Sequence, residues 1–586
     1  MKTSIHILLL IILTVAFQTV YSQTPAFPSA EGYGKFSKGG RGGQVVFVEN
    51  LDDYVAYNNL EPEIPGSLRW AVKQYSGQPL TVIFRVSGVI KLKPYIVSGK
   101  NMNDLRIQRT NLTIAGQTAP GEGITIRNSK VNLGGCTDLI VRNVRFRIGE
   151  NAADSTFIPG GSMGCENALR AIFDHCVFGW SGEENITMYD NKFTTVQWSV
   201  MHEGLYDDGH GKGNRSYGGQ CGGASATWHH NLFAHNYSRS PRLNGARTDN
   251  EVKVFIEFIN NVNYNWGRQG APYGGELYTG IPRSHTANFV GNYYKPGPGT
   301  DASRIFFNVG TLLAGANTPK WYVAGNIMEG TASYNTDNWN GFSVDYASTG
   351  LTRANIKSDS LLAPPLAIIY NGAWIGYQPY KINIQTAEAA YNSVVDKVGT
   401  IKRDSVERRI IREVKTGTSV FKASQGKWGI IDHSYNAEGY LAYPAAVAPD
   451  DNDRDGMADD WEAAHGLNSA DASDRNWLTA DGYTALEVYL NSLMGEVIQP
   501  VFFSAVENVL LNQVSISPTV VTDKIKVNAE IPLKSANIYT MTGEKISNTN
   551  LKNNNIVDVT KLIQGCYIIE IEKESNMKEI FRFLKK

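Results

Sequence analysis

Residues 140–146 read IVRNVRF, a short apolar run broken by a small or polar residue and then resumed. The same arrangement returns as IFDHCVF at 172–178, VQWSVM at 196–201, WHHNLF at 228–233, FINNVNY at 258–264, FVGNYY at 289–294 and VAGNIM at 323–328. Alignment places Asn143, Cys176, Ser199, Asn231, Asn261, Asn292 and Asn326 in register, with spacings of 33, 23, 32, 30, 31 and 34 residues. A repeat of that length is too short for its own core and long enough for one coil of three strands and three turns, so coils must stack to bury anything. The spacing therefore predicts an all-β parallel β-helix, a solenoid in which the last four asparagines form an internal ladder of side-chain amides. A β-propeller needs four strands and about 40 residues or more per blade, which these spacings do not supply.

The chain is 586 residues long, well beyond the roughly 250–300 at which a single compact core stops growing. Lys and Arg total 55 against 56 Asp and Glu; that balance argues against a nucleic-acid partner, and any anion must be met by a local cationic patch. Abundant Gly (57) and Tyr (29) favour turns and strands. Residues 1–22 read as a secretory signal, with Lys2, an apolar run from Ile7 to Phe17 and cleavage after Ser22; no later segment is apolar enough to span a bilayer. Five scattered cysteines imply at most one or two bridges.

These readings divide the chain into a signal at 1–22, a solenoid at 23–345, a mixed extension at 346–500, a linker at 501–512 and a terminal β-sandwich at 513–586. In the extension, TAEAAYNSVVDKV and RDSVERRIIREV carry apolar residues at helical spacing, and the segment is expected against the side or end of the solenoid. After residue 512 the pattern alternates, as in KIKVNAEI and CYIIEIE, which suits a small immunoglobulin-like sandwich.

The densest polar stretch runs from 165 to 247. Stacked at the repeat spacing, Glu166 and Asn167, Glu183 and Glu184, Lys212, and the run from Arg239 through Arg242 to Arg247 line one groove with acidic and basic halves. Paired glutamates with an amide oxygen supply part of the oxygen shell that Ca2+ takes. A second signal is DNDRDGMADDWE at 451–462. It sets Asp451, Asp453 and Asp455 at loop positions one, three and five, Gly456 at six, Asp459 at nine and Glu462 at twelve, the spacing of an EF-hand-type calcium loop. Seven acids among the thirteen residues 450–462 repel one another without a cation, and they leave no room for an anionic substrate, so this calcium is structural.

The opening FPSAEGYGKFSKGGRGG, then PGSLRWAV, AIFDHC, GEEN, RSPR and NYYKPGPGT, in that order, resemble the pectate lyases of polysaccharide lyase family 1 over about residues 25–495. The resemblance implies a right-handed parallel β-helix that cleaves polygalacturonate by calcium-assisted β-elimination. It also implies Arg239 as the base, Lys212 and Arg242 as substrate-binding residues, and Asn167, Glu183 and Glu184 as calcium ligands. Thr187 stands where the family commonly has an acid and Asn244 where a second arginine often lies, which implies a rearranged calcium site. His175 is read as structural. The closest rivals are a pectin lyase acting on methylated substrate and a non-catalytic pectin-binding surface protein. ISPTVVTDKIKV, IYTMTGEKI and LIQGCYIIEIE resemble the type IX secretion sorting domain, which implies the secretion machinery as a partner and a secreted or cell-surface monomer. The alternative for this domain is a carbohydrate-binding module, disfavoured because no Trp follows Trp477.

Overall fold

A computed structural model describes residues 24–149, 160–244, 253–268, 271–275, 284–310, 318–344, 352–363, 367–370, 373–376, 382–503, 514–529, 532–540, 544–552, 554–574 and 578–586. The signal and most of the linker lie outside them. Two compact units result, one of Pro25–Ala464 with Tyr489–Ile498 and one holding His465–Val488 and Gln499–Lys586. The second takes in 465–488, expected within the extension, because Leu478–Thr479 pairs antiparallel with Phe502–Phe503. No described helix is long and apolar enough to cross a membrane.

The first unit is a parallel β-solenoid. Three sheets of 11, 9 and 9 strands run its length, and within each sheet a strand pairs with the strand one coil away. The first sheet holds the quoted repeats, for example Thr137–Arg142, Leu169–Asp174, Lys192–Gln197, Ser225–His229 and Lys253–Ile259. Residue by residue, Ile140 pairs with Ile172, Ile172 with Thr195 and Thr195 with Thr227. Leu139, Val141, Phe173, Val196, Trp228, Phe258 and Phe289 face the interior and form one continuous core. Aromatic rings stack from coil to coil within it, Phe146 on Phe178 at 5.4 Å and Phe258 on Phe289 at 5.3 Å.

The asparagine ladder runs as the spacing predicts and extends further. Asn261 Oδ1 accepts from the backbone N–H and the amide of Asn231, both at 3.0 Å, and its own amide donates to Trp228 O at 2.8 Å and to Asn292 Oδ1 at 3.2 Å. Asn292 and Asn326 repeat the pattern, and Asn338 closes it, its Oδ1 taking the Asn326 backbone N–H at 2.7 Å. At the other end Ser199 N–H donates to Asn231 Oδ1 and Cys176 N–H to Ser199 Oγ. All five cysteines are free thiols.

Two of the three outer faces are covered. Residues 26–43 cross the first sheet coil by coil, with Gly34 N–H on Thr195 Oγ1 and Gly40 N–H on Thr113 Oγ1. Gly34 permits the approach, since a Cβ there would sit 2.3 Å from Ala171 O. The second sheet is covered by the helices Ala387–Lys397 and Ser405–Thr416 of the extension, so the extension docks on the solenoid's side. Val394, Val398, Ile410 and Val414 pack on Val177, Val200, Leu232 and Val262. Beneath them lies a buried ion network. Arg145 and Arg147 meet Glu407 and Asp404, and Arg409 takes Glu203 in two bonds of 2.8 and 3.0 Å. Asp404 also caps its helix in a reciprocal box with Glu407. The third sheet's strands include Val131–Asn132, Met163–Glu166, Glu184–Tyr189, Tyr217–Cys221, Arg242–Leu243 and Tyr273–Gly274.

The second unit ends in two packed sheets of three and five strands. Ile525, Val527 and Val557 of one meet Ala536, Ile538, Ile569 and Phe583 of the other in a single core, a sandwich as the alternation predicts.

Replacing Asn261 with Ala strands the Asn231 N–H and the Trp228 carbonyl in the interior. At about 1–3 kcal/mol per unsatisfied group, Asn261→Ala is expected to cost about 3 kcal/mol in urea unfolding of the solenoid.

Burial holds His202, His230 and His285 neutral, each pushed down to about 4. The unfolded chain, with His near 6.5, therefore binds protons that the native state refuses between about pH 6.5 and 4, and stability falls as pH falls through that window. Denaturation midpoints measured from pH 7 to 4.5 should decline, and the decline should be shallower in His202→Gln.

Candidate active site on the third sheet

Alternate residues of the third sheet, among them Met163, Cys165, Ile186, Met188 and Leu243, point into the core. The residues between them therefore face outward. Register carries one outward row across the sheet, from Asn132 to Gly164, Thr187, Gln220, Arg242, Tyr273 and Asn308. This face is polar where the other two are covered by apolar clusters, and Glu183, Glu184, Lys212, Arg239 and Arg242 gather at its edge.

Glu183 and Glu184 open the strand 184–189. Glu184 pairs in register with Tyr217, which bridges to Ser238 on the following coil, so Arg239 arrives beside Glu184. Arg239 sits in a turn between the second and third sheets with φ of 52°, and its carbonyl accepts from Gly219 N–H at 2.8 Å. Gly218 admits this turn, because a Cβ there would lie 2.7 Å from Arg239 O.

The Arg239 side chain, 17% exposed, is held on three sides. Its guanidinium pairs with Glu184, its Nε donates to Tyr273 Oη at 3.2 Å, and it stacks 4.0 Å over the Tyr217 ring. Burial holds this guanidinium below its usual range, with Arg242 adding to the effect while Tyr273 and Glu183 oppose it. Arg242 lies over the opposite neighbour, 5.5 Å from the Tyr273 ring.

Glu183 faces the loop 209–216. His210 Nε2 lies 3.2 Å from its carboxylate, Lys212 Nζ 3.9 Å and Arg215 4.0 Å away. Lys212 is 77% exposed. Burial and Arg215 push His210 downward, against the pull of Glu183. Thr187 donates to Glu184 Oε2 at 3.3 Å, a hydroxyl in the place of the expected acid. Asn244 is buried, and its carbonyl takes the Gln220 amide at 2.8 Å.

The structure thus brings together Glu183, Glu184, Lys212, Arg239 and Arg242. It does not bring Asn167 to them. Glu166 pairs with Tyr189, five residues along from Glu184, so Glu166 lies about 16 Å further along the strands at 3.3 Å per residue, and Asn167 lies beyond it. The resemblance aligned Asn167 by motif, but a turn residue takes its level from strand register. It occupies the turn at the opposite edge with φ of 57°, its N–H on Tyr189 O. Residues that sequence reading missed are His210, Arg215, Tyr217 and Tyr273. His210 and Arg215 flank Lys212 in the same HGKGNR run, whereas the tyrosines enter through register alone. His175 lies on the turn between the first and second sheets, bonded to Asp174 at 2.9 Å and stacked on Trp198.

At 451–462 the loop gathers most of the acids named above, with Asp459 the exception. Carboxylate oxygens of Asp451, Asp453 and Asp455 lie within 4.8 Å of one another, and Glu462 approaches Asp455 within the same limit. Asp455 and Glu462 are fully buried. Asp451 accepts the N–H groups of Asp455 and Gly456, and Gly456 has φ of 99°, the sharp turn of position six. Arg85 of the solenoid reaches Asp451 at 3.3 Å. Asp459 closes the loop instead of facing its centre, accepting from Asn452 N–H at 2.9 Å at the start of the helix Asp459–His465. Clustered buried carboxylates of this kind are the hard oxygen donors that suit Ca2+.

Residues 515–586 match the family described as a secretion system C-terminal sorting domain, and the carbohydrate-module alternative is set aside. The chain is 30% identical over 479 residues to "Probable pectate lyase C" of Aspergillus flavus, spanning 80% of this chain and 94% of that protein. It is also 30% identical over 493 residues to the protein of the same name from Aspergillus fumigatus, spanning 83% and 97%. A pectate lyase from Bacillus sp. N165, solved in complex with trigalacturonate, matches at 16% identity over 64% of this chain and 99% of its own, with a TM-score of 0.35. The chain belongs to the pectate lyases, polysaccharide lyases built here on a parallel β-solenoid and followed by a secretion sorting domain.

Proposed function

We propose that this chain is a secreted enzyme that cleaves de-esterified polygalacturonate by calcium-assisted β-elimination, with Arg239 as the base. The observation that carries the reading is the meeting of two adjacent carboxylates, Glu183 and Glu184, with Arg239, Arg242 and Lys212 at the edge of one polar face. Export rests on the sorting domain and on the signal read at 1–22.

Glu183 and Glu184 would hold the catalytic calcium together with a substrate carboxylate. Calcium bound there supplies positive charge that stabilises the carbanion developing beside that carboxylate. Lys212 and Arg242 pair with carboxylates along the polymer. Arg239 takes the C5 proton, the C5–H electron pair becomes the C4=C5 double bond, and the C4–O bond breaks with its pair on the leaving oxygen, which solvent protonates. To act so, Arg239 must first be neutral, which its burial and Arg242 favour. Glu184, once turned toward a cation, no longer holds Arg239 in its charged form. Tyr217 and Tyr273 keep the guanidinium oriented in either state. Asp451, Asp453, Asp455 and Glu462 would hold a second, structural calcium.

Arg239→Lys is expected to lower turnover on polygalacturonate by about a hundred- to ten-thousand-fold, with the fold and polymer binding retained, because lysine lacks the planar fork and is more strongly hydrated. Arg242→Lys should lose less. The measurement is the initial rate of unsaturated product at saturating calcium; retention of more than about a tenth of the rate rules Arg239 out as the base. Full activity in excess chelator, confined to methylated pectin, would instead favour the pectin lyase reading, and binding without product would favour the non-catalytic one.

For the loop, calcium at a hundred times its Kd should stabilise the native state by about 2.7 kcal/mol. Thermal melts should show that gain in the wild type and its loss in Asp455→Asn, while chelation of the wild type should abolish activity before the melting temperature falls.

A further inference from the structure

The segment 440–454 retraces the solenoid. Tyr440 Oη donates to Arg147 O at 2.5 Å, Tyr443 Oη lies 2.6 Å from Thr125 Oγ1, and Arg85 donates to Pro449 O at 2.8 Å and reaches Asp451 at 3.3 Å. Arg147 belongs to the strand Val144–Arg147, Thr125 to Ile124–Arg127, and Arg85 leads into Gly88–Lys91, each the pairing neighbour of the one before. The segment thus steps back one coil at a time toward the first strand of the solenoid. Its last contact is made by Arg454, at position four of the acidic loop. That guanidinium pairs with Glu49 at 2.8 Å and lies 4.6 Å over the Phe47 ring, with Arg85 5.9 Å from the same ring.

Phe47 lies on the strand Gln44–Val48, which forms the edge of the first sheet and pairs there with Leu80–Phe84. Val46 and Val48 point into the core, so Phe47 faces outward; it is buried all the same. The end strand of a stack opens most easily, because one neighbour rather than two holds it. Its cover comes from the far end of the first unit, Arg454 standing 405 residues beyond Glu49.

Arg454 has φ of 59°, a left-handed backbone that a residue with a Cβ adopts at a cost, so the closed loop has to hold it there. Closing the loop brings Asp451, Asp453 and Asp455 within 4.8 Å of one another, and like charges at that range repel unless a cation sits among them. Asp451 joins the two ends of the arrangement, since one carboxylate has acceptor sites for Arg85 and for a cation together. Ca2+ in the loop therefore governs whether Arg454 is presented to the first coil.

We infer that residues 440–458 form a calcium-operated clasp on the first coil. With calcium in the loop, Arg454 and Arg85 hold the strand Gln44–Val48 shut; when calcium leaves, that strand opens while the coils around Glu183 and Arg239 stay folded. The inference rests on the calcium reading of the loop given above. It makes the N-terminal coil the part of the solenoid that responds first to falling calcium.

The test is hydrogen exchange of the full chain, followed in the segments 44–48, 169–174 and 225–229, in saturating calcium and in excess chelator. Chelation is expected to speed exchange at 44–48 about tenfold and to leave the other two segments within about twofold. Arg454→Ala should show the same gain of about tenfold with calcium present, since it loses one ion pair and one ring contact. Chelation should then add less than about threefold, because both changes act on one contact. Calcium binding is measured by calorimetry in the wild type and in Asp455→Asn. If Asp455→Asn loses a site that the wild type has, the clasp alone is overturned by unchanged exchange at 44–48 on chelation, by a rise of equal size in all three segments, or by Arg454→Ala exchanging like the wild type. If the wild type holds no calcium that Asp455→Asn loses, the loop reading fails and the clasp with it.

Discussion

At each turn of the solenoid, backbone N–H and C=O groups face an interior that water does not reach, and only the adjoining coil can pair them. Asn231, Asn261, Asn292 and Asn326 do so with one side chain each, accepting from the preceding coil's N–H and donating to a carbonyl of that same coil. An unmade pair costs about 1–3 kcal/mol in such a setting, so the ladder fixes the register of the coils it joins. That register decides which outward residues become neighbours. The row from Asn132 through Thr187 and Arg242 to Asn308, and the meeting of Glu184 with Arg239, are its consequences.

The three faces of the solenoid are treated differently by the rest of the first unit. Residues 26–43 lie across one, and the helices 387–397 and 405–416 across another, where apolar packing surrounds a fully buried ion network. Removing Arg145, Arg147 and Arg409 from water is costly, and each is matched by Glu407, Asp404 or Glu203 in short bonds. Such matched sets contribute little net stability but penalise wrong docking severely, since a misplaced helix leaves a buried charge unpaired. The third face keeps its polar row.

The geometry around Arg239 and the fold therefore share one origin. Tyr217 and Tyr273 come from coils on either side of the Arg239 turn, one giving its ring and the other its hydroxyl, and neither position is adjustable without shifting a strand. Gly218 and Gly164 act by what they lack: one lets the Arg239 turn approach, and the other leaves space that Lys130 occupies.

Much of this was legible in the chain itself. The spacing of the asparagines carried the solenoid and the ladder, because a structural repeat must recur at the length of one coil. The clustering of the acids at 451–462 was legible too, because their loop is local and its positions are counted along the backbone. The two helices of the extension and the alternating strands of the terminal sandwich were likewise local patterns. Motif matching named Glu183, Glu184, Lys212, Arg239 and Arg242, which the structure gathers, and it also named Asn167, which the structure places elsewhere. Motif order follows the chain, whereas the level of a side chain along a sheet depends on strand register, and one turn sits more than about 16 Å from the other. Tyr217, Tyr273 and the pairing of Arg145 with Glu407, 262 residues apart, belong to tertiary structure alone. Each depends on which coil, and which face of it, a residue reaches after stacking, and no local pattern encodes that.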